Sequence, residues 1–365
     1  MRVQGSNYRS VWLEGPVLPE GRVRLRMIDQ TLLPHDFVVL DISSVSELAA
    51  AISDMKVRGA PAIGASGAYG MVLAAFDASE DLFFEELREA KELLSSTRPT
   101  ARDLFTALDA LFSLAGELLE RGEGVEYCRA ALLKGAQSYV EKSLAACREI
   151  GRLGAHLIRD GASIMTHCNA GWLACVDWGT ALSPMYFARN EGRDFFVYVD
   201  ETRPRCQGAR LTSWELLEEG IRHAVIADNA SAYYMQKGVS LVIVGADRIT
   251  LNGDVANKIG TFEKAVLAKE LGVPFYVAAP LSTFDFSLED GSLIPIEERG
   301  AEEVAYVEGI DDSGELSRLR LLPLGAPARN PAFDVTPARY ISGIICEKGI
   351  IAADRKSIAE LRDAL

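Results

Sequence analysis

Apolar positions follow different spacings in the two parts of the chain. Near the start, short apolar bursts are separated by Pro and Gly, which is typical of hairpins or a small antiparallel sheet. These bursts lie at residues 11–13, 23–27 and 37–40. From Ser46, which we expect to cap a helix, the spacing becomes helical at residues 47–52, 62–76, 82–95, 101–121 and 125 to about 159. Residues 1–150 are therefore predicted to form a mainly helical N-terminal domain that carries a small antiparallel sheet.

From Ala162 onwards, short apolar runs alternate with helical segments. The runs occupy residues 162–166, 195–199, 223–227, 241–244 and 274–278, and the helical segments 172–190, 213–219, 230–237 and 258–271. Strands that alternate with helices of this length form parallel βαβ units with right-handed crossovers. Residues 151–365 are therefore predicted to be a Rossmann-like α/β domain with a doubly wound, mostly parallel sheet. Ligands of such sheets bind beyond the carboxyl ends of the strands.

The composition limits which classes of binding partner and which cellular compartment we expect for this chain. The chain has 365 residues and a formal net charge of −14, which argues against a broad nucleic-acid or anionic-membrane surface. A small anionic substrate remains compatible, because a few Arg and Lys can hold one phosphate. We expect neither a signal peptide nor a membrane-spanning segment, since no apolar run is long enough. The six cysteines show no metal-like spacing, so we expect reduced thiols in a cytoplasmic protein.

Polar and Gly-rich clusters follow all five predicted strands of the second domain. They lie within residues 166–171, 200–210, 228–229, 245–261 and 278–285. One or two such loops would be ordinary turns. Five of them at the ends of one sheet favour a ligand site.

Two of these loops carry candidate catalytic groups. Cys168 precedes a predicted helix, whose free backbone N–H groups would favour its thiolate. His167 is a poor partner for it, because successive side chains of a strand point to opposite faces. Asp247 can serve as a general acid or base, although an ion pair with Arg248 or helix capping would explain it structurally. A thiol and a carboxyl suit movement of a proton or hydride between adjacent carbons.

Three segments place a cation beside a predicted helix start. They contain Arg58-Gly59-Ala60, Arg98, and Asn257-Lys258. Backbone N–H groups together with a guanidinium or ammonium can bind a phosphate, although each residue alone also fits a solvated surface. No GxGxxG or GxxxxGK[ST] motif occurs, so neither a dinucleotide nor a nucleoside triphosphate cradle is indicated.

Eight segments together are similar to those of the methylthioribose-1-phosphate isomerases. These enzymes are relatives of the regulatory subunits of the exchange factor for the GTPase that delivers initiator tRNA. The segments are VRGAPAIG (57–64), TRPTA (97–101), THCNAG (166–171), DETRPRCQGARLT (200–212), GADRI (245–249), NGDVANKIGT (252–261), AAPLSTFD (278–285) and NPAFDVTP (330–337). They span nearly the whole chain in family order, so the resemblance is specific to this family.

The resemblance implies a cytoplasmic aldose–ketose isomerase of methionine salvage, which converts 5-methylthioribose 1-phosphate to 5-methylthioribulose 1-phosphate. It implies that Asp247 is the catalytic proton donor and that Cys168 assists at the transition state. It also implies substrate binding by Arg58, Gly59, Ala60, Arg98, Gln207, Asn257 and Lys258. Members are similar in using no metal or organic cofactor and in forming homodimers. The implied partner is a small phosphorylated sugar, with no nucleic acid and no membrane.

The chemistry leaves two routes open. The anomeric oxygen of this substrate carries the phosphate, so the ring C–O bond must break, with Asp247 protonating the departing oxygen. Hydrogen must then move from C2 to C1. It moves either through an enolate, made when the Cys168 thiolate takes the C2 proton, or by direct hydride transfer in a dry pocket.

Other substrates and functions also remain open. Trp172 and Trp178 stand where small residues are expected in the commonest family members, so a bulkier wall would change which 5-substituent fits. A missing sulfur is worth only about 1–3 kcal/mol, which makes 5-deoxyribose 1-phosphate or another 5-substituted ribose 1-phosphate an alternative substrate. A non-catalytic regulatory subunit that binds a sugar phosphate should lack the Cys168 and Asp247 pair. A cysteine hydrolase that uses Cys168 would need a histidine positioned beside the thiol, and this sequence offers no plausible one.

Overall fold

The computed structural model describes residues 1–14, 23–98 and 101–364, which divide into two units. Unit 1 comprises Met1–Arg148 together with Gly171–Gly179. Unit 2 comprises Glu149–Ala170 together with the chain from Thr180 onwards. The expected domain boundary between residues 150 and 151 stays a prediction.

Unit 1 begins with short antiparallel strands. Strand β1 (Arg2–Val3) pairs with β2 (Ser6–Asn7), and a separate three-stranded sheet contains β3 (Val11–Leu13), β4 (Leu25–Ile28) and β5 (Val39–Ile42). On the central strand β4, Leu25 and Met27 are fully buried, whereas Arg26 donates a hydrogen bond to Glu14. This alternation confirms the predicted small antiparallel sheet. Residues 15–22, with part of the Pro and Gly punctuation, lie outside the described residues.

Five helices follow in unit 1. They are α1 (Val45–Ser53), α2 (Ala60–Asp77), α3 (Phe83–Thr97), α4 (Arg102–Glu120) and α5 (Val125–Gly154), the last of which continues into unit 2. The Ser44 hydroxyl caps α1 by accepting a hydrogen bond from the Glu47 N–H, so the cap expected at Ser46 is wrong by two residues. Helix α2 is buried along most of its length and packs against α1, α3 and α4. Its many Ala and Gly residues suit this position, because small side chains let neighbouring helices approach closely.

Unit 2 contains the remaining elements. Its strands are β6 (Ser163–Thr166), β7 (Phe196–Asp200), β8 (His223–Ile226), β9 (Leu241–Val244), β10 (Arg248–Thr250), β11 (Val255–Lys258), β12 (Phe275–Ala278), β13 (Phe284–Asp285), β14 (Tyr306–Ile310), β15 (Leu316–Arg320), β16 (Phe333–Thr336), β17 (Gly343–Cys346) and β18 (Gly349–Ile351). Its helices are α6 (Ser183–Asn190), α7 (Ser213–Glu218), α8 (Ser231–Gln236), α9 (Thr261–Glu270), α10 (Glu302–Ala305) and α11 (Arg355–Asp363). Over the described ranges of both units, no helix has the combination of length and apolar character needed to cross a membrane.

The central feature of unit 2 is a seven-stranded sheet in the order β8–β7–β6–β9–β12–β17–β18. All neighbours in it are parallel except the edge strand β18, which runs antiparallel to β17. The chain builds the sheet outwards from β6 in one direction and then from β9 in the other, so β6 and β9 flank its topological switch point. This order confirms the predicted Rossmann-like, doubly wound fold.

Smaller sheets complete unit 2. A four-stranded sheet has the order β13–β10–β11–β16, and β14 and β15 form a separate antiparallel hairpin. Strand β10 begins four residues after the end of β9, so the second sheet starts directly at the carboxyl edge of the first.

Two helices predicted for the second domain are wrong in extent. The segment predicted as a helix over residues 172–190 is a 3₁₀ turn at Trp172–Ala174, then bends, and a helix only from Ser183. Val176 and Trp178 in the middle of this segment have positive φ angles, which a right-handed helix cannot contain. The helix predicted from Lys258 begins at Thr261, because Lys258 is the last residue of strand β11 and the left-handed Gly260 separates the two elements.

Candidate active site

Cys168 and Asp247 follow the two strands that flank the switch point. Strands β6 and β9 are hydrogen-bonded neighbours with Ile164 opposite Leu241, so their carboxyl ends lie side by side. The loops beyond them also touch. A Cβ on Gly245 would lie 2.7 Å from the Cβ of Ala170, and these residues stand two positions from Asp247 and Cys168. The structure therefore brings together the loops that carry the two candidate catalytic groups.

Cys168 has a left-handed backbone conformation, with φ of 63°. Its N–H donates to the Thr202 hydroxyl at 2.8 Å, and its carbonyl accepts from the Thr212 hydroxyl at 2.7 Å. The residue is 8% exposed. The expected helix N-terminus beside the thiol is wrong, because a three-residue 3₁₀ turn follows instead. The favourable helix end predicted for the thiolate is therefore absent from this part of the described chain.

The imidazole of His167 is committed to other partners. Its Nδ1 lies 3.1 Å from Oδ2 of Asp200, and its Nε2 lies 2.8 Å from the carbonyl oxygen of Ile259. The Asp200 carboxylate and the Ile259 carbonyl thus each occupy one ring nitrogen of His167. With both nitrogens occupied, His167 is no base for Cys168. The expectation that it is a poor partner is confirmed, although by these contacts rather than by strand alternation, because β6 ends at Thr166.

His167, Asp200 and Asp228 form a group that could in principle hold a metal, since one ligand atom of each lies within 4.8 Å of the others. Their ligand atoms already have hydrogen-bond partners. Asp228 accepts from the backbone N–H groups of Thr202 and Arg203 at 2.7 Å each. The second oxygen of Asp200 accepts from a serine hydroxyl, and the buried ammonium of a lysine in α9 donates to the Asp228 carbonyl. These contacts fit an internal charge network, and the expected absence of a metal stays a prediction.

Asp334 belongs to the same charged region. It accepts hydrogen bonds from the backbone N–H groups of Gly260 and Phe262 at the start of α9. Burial raises the pKa of Asp334, against the opposing effect of these two hydrogen bonds and of the charges of His167 and Lys264. One polar network thus joins the residue after β6, the end of β7, strand β16 and the start of α9.

Asp247 is exposed, and its backbone N–H donates to the Ala256 carbonyl on β11. The Arg248 guanidinium, which the sequence offered as a structural partner for Asp247, lies 3.6 Å from the Asp285 carboxylate. An exposed carboxyl at the end of a central strand is accessible to a small ligand and can exchange protons with solvent.

Gln207 lies in the loop after β7 and is 7% exposed. Its Oε1 is buried and has no hydrogen-bond partner among the described residues. A buried acceptor without a partner carries a desolvation penalty that a bound hydroxyl or amide would relieve. The loop itself is anchored next to the site, because its Thr202 accepts the hydrogen bond from Cys168.

Asn257 and Lys258 lie on β11 and do not open a helix, so that part of the sequence prediction is wrong. The Asn257 amide donates to the Thr261 hydroxyl at 3.0 Å. The Lys258 ammonium donates to the Ala332 carbonyl and lies 4.6 Å from the centre of the Phe333 ring. The antiparallel pairing of β11 with β10 and β16 places them there, since Asn257 and Lys258 pair with residues of β16.

The candidate anion-binding residues of unit 1 lie at helix ends. Gly59 is the N-cap of α2 with φ of 92°, and a Cβ there would lie 2.5 Å from the Cβ of Ala174 and closer still to its carbonyl oxygen. Ala60 is the first residue of α2, and Arg58 precedes the cap and is half-buried. Arg98 is the C-cap of α3. Pro99 and Thr100 of the TRPTA segment lie outside the described residues.

Trp172 is buried and Trp178 is half-buried within unit 1. Trp172 is fully buried, and Trp178 packs against a small cluster of Cys147, Ala174 and Cys175. Both tryptophans therefore have a packing role in the described structure.

Several residues around Cys168 were not predicted from the sequence. The Thr212 hydroxyl also accepts from the Asn169 amide, which donates in turn to the buried carboxylate of Glu215. The other oxygen of Glu215 accepts from the Tyr186 hydroxyl at 2.6 Å. Glu215 between apolar Trp214 and Leu216 was a detectable signal, because a charged residue in an apolar stretch is buried only with partners.

Comparisons with known proteins agree on one family. Residues 56–353 match the family described as initiation factor 2 subunit family. A relative from Gluconobacter oxydans (strain 621H), named methylthioribose-1-phosphate isomerase, is 45% identical and aligns over 99% of this chain and 98% of its own. A relative of the same name from Escherichia coli O45:K1 (strain S88 / ExPEC) is 46% identical and aligns over 99% and 96%.

Solved structures show the same fold. The 5-methylthioribose 1-phosphate isomerase from Pyrococcus horikoshii OT3 is 39% identical, with a TM-score of 0.87 over 99% of this chain and 97% of its own. A protein titled translation initiation factor eIF-2B, subunit delta, from A. fulgidus is 40% identical, with a TM-score of 0.82 over 97% and 100%. The chain therefore belongs to the initiation factor 2 subunit family, and within it to the group whose curated members are named methylthioribose-1-phosphate isomerase.

Proposed function

We propose that this chain converts 5-methylthioribose 1-phosphate to 5-methylthioribulose 1-phosphate, with Asp247 as the proton donor and Cys168 assisting at the transition state. The single observation that carries the proposal is the placement of these residues on touching loops at the switch point of the sheet. Ligands of doubly wound sheets bind there. The family membership supplies the substrate class, and the strand-end position supplies the reason for these two side chains.

The reaction needs an acid and a group that acts at the carbon skeleton. Asp247 donates a proton to the ring oxygen as its bond to C1 breaks, which leaves a hydroxyl on C4. Hydrogen then leaves C2 and arrives at C1, while the C2 hydroxyl loses its proton to the Asp247 carboxylate to give the ketone. Cys168, at 8% exposure, has little contact with bulk water, which suits either an enolate or a hydride transfer.

An isotope experiment separates these two routes. Substrate labelled with deuterium at C2 would keep the label at C1 if hydride moves directly. Loss of label to water would show that the Cys168 thiolate removes a proton, because a thiol exchanges its proton with any water that reaches it.

The other proposed binding residues follow from the family resemblance. In unit 2, the buried Oε1 of Gln207 is suited to accept a hydrogen bond from a sugar hydroxyl, since it has no partner among the described residues. Asn257 and Lys258 supply donors on β11. In unit 1, the proposed residues are Arg58, Gly59, Ala60 and Arg98. Guanidinium groups and backbone N–H groups at a helix start are suited to phosphate oxygens.

Variants of the two catalytic residues test the proposal. We expect C168S and D247N to keep the fold and to lose isomerase turnover. C206S and D312N are matched controls, which change the same kinds of side chain outside the proposed machinery and should retain turnover. Near wild-type rates in C168S or D247N would show that the catalytic assignment is wrong.

A regulatory subunit without catalysis is the second candidate, favoured by the likeness to the protein titled eIF-2B subunit delta. Substrate comparison distinguishes the candidates. Purified chain is assayed with 5-methylthioribose 1-phosphate, 5-deoxyribose 1-phosphate and ribose 1,5-bisphosphate. Turnover of 5-methylthioribose 1-phosphate supports the proposal. Comparable rates on this substrate and on 5-deoxyribose 1-phosphate would show that the enzyme is not specific for the methylthio group. Binding of a sugar phosphate without turnover of any of the three favours the regulatory function.

The proposal also includes a cytoplasmic homodimer that works without a metal or organic cofactor. Sedimentation of the purified chain measures its oligomeric state. Full turnover after exhaustive treatment with a chelator supports the cofactor-free reaction, and loss of turnover restored by a metal ion contradicts it.

A further inference from the structure

We propose that Thr202 and Thr212 are positioning residues, which hold Cys168 in its left-handed conformation so that the thiol is placed for the reaction. The inference rests on the proposed function in one respect, since it takes Cys168 as a group that acts on the substrate. The geometry around Cys168 carries it independently of any relative.

Both peptide groups of Cys168 are bound by threonine hydroxyls. The Cys168 N–H donates to Thr202 Oγ1 at 2.8 Å, and Thr212 Oγ1 donates to the Cys168 carbonyl at 2.7 Å. The threonines lie 34 and 44 residues further along the chain, in and just beyond the loop after β7. Two distant hydroxyls thus hold the backbone of one residue from both sides.

The single hydrogen of each hydroxyl is already used in a hydrogen bond. Thr202 Oγ1 also donates to the Asp200 carbonyl at 3.0 Å, and Thr212 Oγ1 also accepts from the Asn169 amide at 3.1 Å. Each hydroxyl therefore uses its one hydrogen and one acceptor direction in the same arrangement. Both threonines are fully buried, so water cannot replace these bonds without a rearrangement.

The threonines are themselves held firmly. Thr202 has φ of 66°, which is a rare conformation for a β-branched residue, and its N–H donates to Asp228 at 2.7 Å. Thr212 ends a π-helical turn that begins at Gly208. Strained backbone persists only where the surroundings over-determine it, and such positions concentrate at functional sites. Two hydrogen-bonded residues in the left-handed region, Cys168 and Thr202, fit that description.

The conformation matters because φ sets where the thiol lies. A return of Cys168 to negative φ would rotate Cβ and Sγ about the N–Cα bond and move the sulfur by more than a bond length. A displacement of about 1 Å at a reacting group can lower the rate by about 100-fold. The hydroxyls would then affect turnover through Cys168 without touching the substrate.

Valine variants remove each hydroxyl at nearly constant volume. We expect T202V and T212V to lower kcat by about 10- to 100-fold with little change in KM. T202S and T212S keep the hydroxyl and should recover most of the rate. The matched control is T336V, because Thr336 is equally buried but its hydroxyl has no hydrogen-bond partner among the described residues. Values of kcat within twofold of wild type in both T202V and T212V would overturn the proposal.

Alkylation of Cys168 supplies a readout that a general loss of stability would not give. Purified protein is treated with iodoacetamide, and modification of each cysteine is followed by mass spectrometry of its peptide. We expect Cys168 to react several-fold faster in T202V and T212V, while Cys175 and Cys346, at 2% and 0% exposure, stay protected. Equal acceleration at all three cysteines would show global loosening and overturn the positioning role.

Failure of the proposed function can be distinguished from failure of the positioning role of the two threonines. If wild-type chain isomerises no sugar phosphate, the proposed function fails, and the alkylation rates still decide whether the threonines hold Cys168. If the valine variants do not fold, amide hydrogen exchange of the wild-type chain decides. Exchange of the Cys168 N–H as slow as that of Met165 in β6 supports the proposal. Exchange as fast as that of the exposed Gly192 overturns it.

Discussion

Nδ1 of His167 lies 3.1 Å from Oδ2 of Asp200, and the two side chains are 1% and 0% exposed. The pair joins the residue before Cys168 to the last residue of β7. The Ser231 hydroxyl donates to the second oxygen of Asp200, so the carboxylate is satisfied on both sides. A buried pair of this kind is strongly coupled, because removal of one partner leaves the other without compensation.

A double-mutant cycle should reveal this coupling. We expect H167A and D200A each to lower the free energy of unfolding by about 3–5 kcal/mol. The double variant should lose less than the sum, by at least about 1.5 kcal/mol. The control cycle is R222A with D194A, an exposed pair at 2.6 Å whose coupling should lie at about 0–1 kcal/mol. Chemical denaturation measures all six variants, and additive effects at His167 and Asp200 would contradict the pair.

Gly59 should tolerate no larger residue. In G59A, the new Cβ would meet the backbone and Cβ of Ala174, and the positive φ would also be strained. We expect a loss of about 2–4 kcal/mol in unfolding free energy. Gly122 provides the comparison, because it has φ of 79° with open space around it. G122A should lose only about 1–2 kcal/mol from the backbone strain, and equal losses would mean that the contact with Ala174 is unimportant.

Glu303 should support stability above mildly acidic pH. Burial alone would raise its pKa, but the Arg299 guanidinium, the Asn330 amide and Arg205 together lower the pKa to about 2, from 4.5 for an unperturbed glutamate. A lowered pKa favours the ionised group in the folded state. The stabilisation is therefore complete above about pH 4.5 and is lost as pH falls towards 2.

Unfolding at a series of pH values tests this. E303Q should lower the unfolding free energy by about 2 kcal/mol at pH 7. The difference from wild type should shrink below pH 4.5, where wild type loses the same contribution. The exposed Glu315 gives the control E315Q, which should match wild type throughout. A difference that stays constant with pH would contradict the role of ionised Glu303.

Gln207 should show opposite effects on stability and on activity. Q207M removes a buried acceptor that has no partner, so stability should stay equal or rise. The loss of one hydrogen bond to substrate should lower kcat/KM by about tenfold. Thermal unfolding and steady-state kinetics measure both. Unchanged kcat/KM would remove Gln207 from the substrate site.

Local patterns predicted the small N-terminal sheet, the helices of unit 1 and most of the central sheet of unit 2, but not the smaller sheets of unit 2. The alternation of short apolar runs with helices predicted the doubly wound sheet and five of its six parallel strands, because buried parallel strands must be apolar on both faces. It missed the sixth, β17 (Gly343–Cys346), which is parallel to β12. The same pattern located Cys168 and Asp247 at strand ends, where the fold collects its ligands. The predicted helix starts at Trp172 and Lys258 are wrong. Positive φ angles at Val176, Trp178 and Gly260 interrupt the chain there, although the apolar spacing is helical. No pattern of apolar residues reports the sign of φ.

Patterns in the amino-acid sequence were enough to predict the fold class and to name the candidate catalytic side chains. How those side chains are held depends on contacts between distant parts of the chain. The left-handed backbone of Cys168 depends on hydroxyls 34 and 44 residues away, and the partner of His167 is 33 residues away. Periodicity arises from neighbours within a few residues, whereas these contacts exist only after the strands of the sheet have been brought side by side.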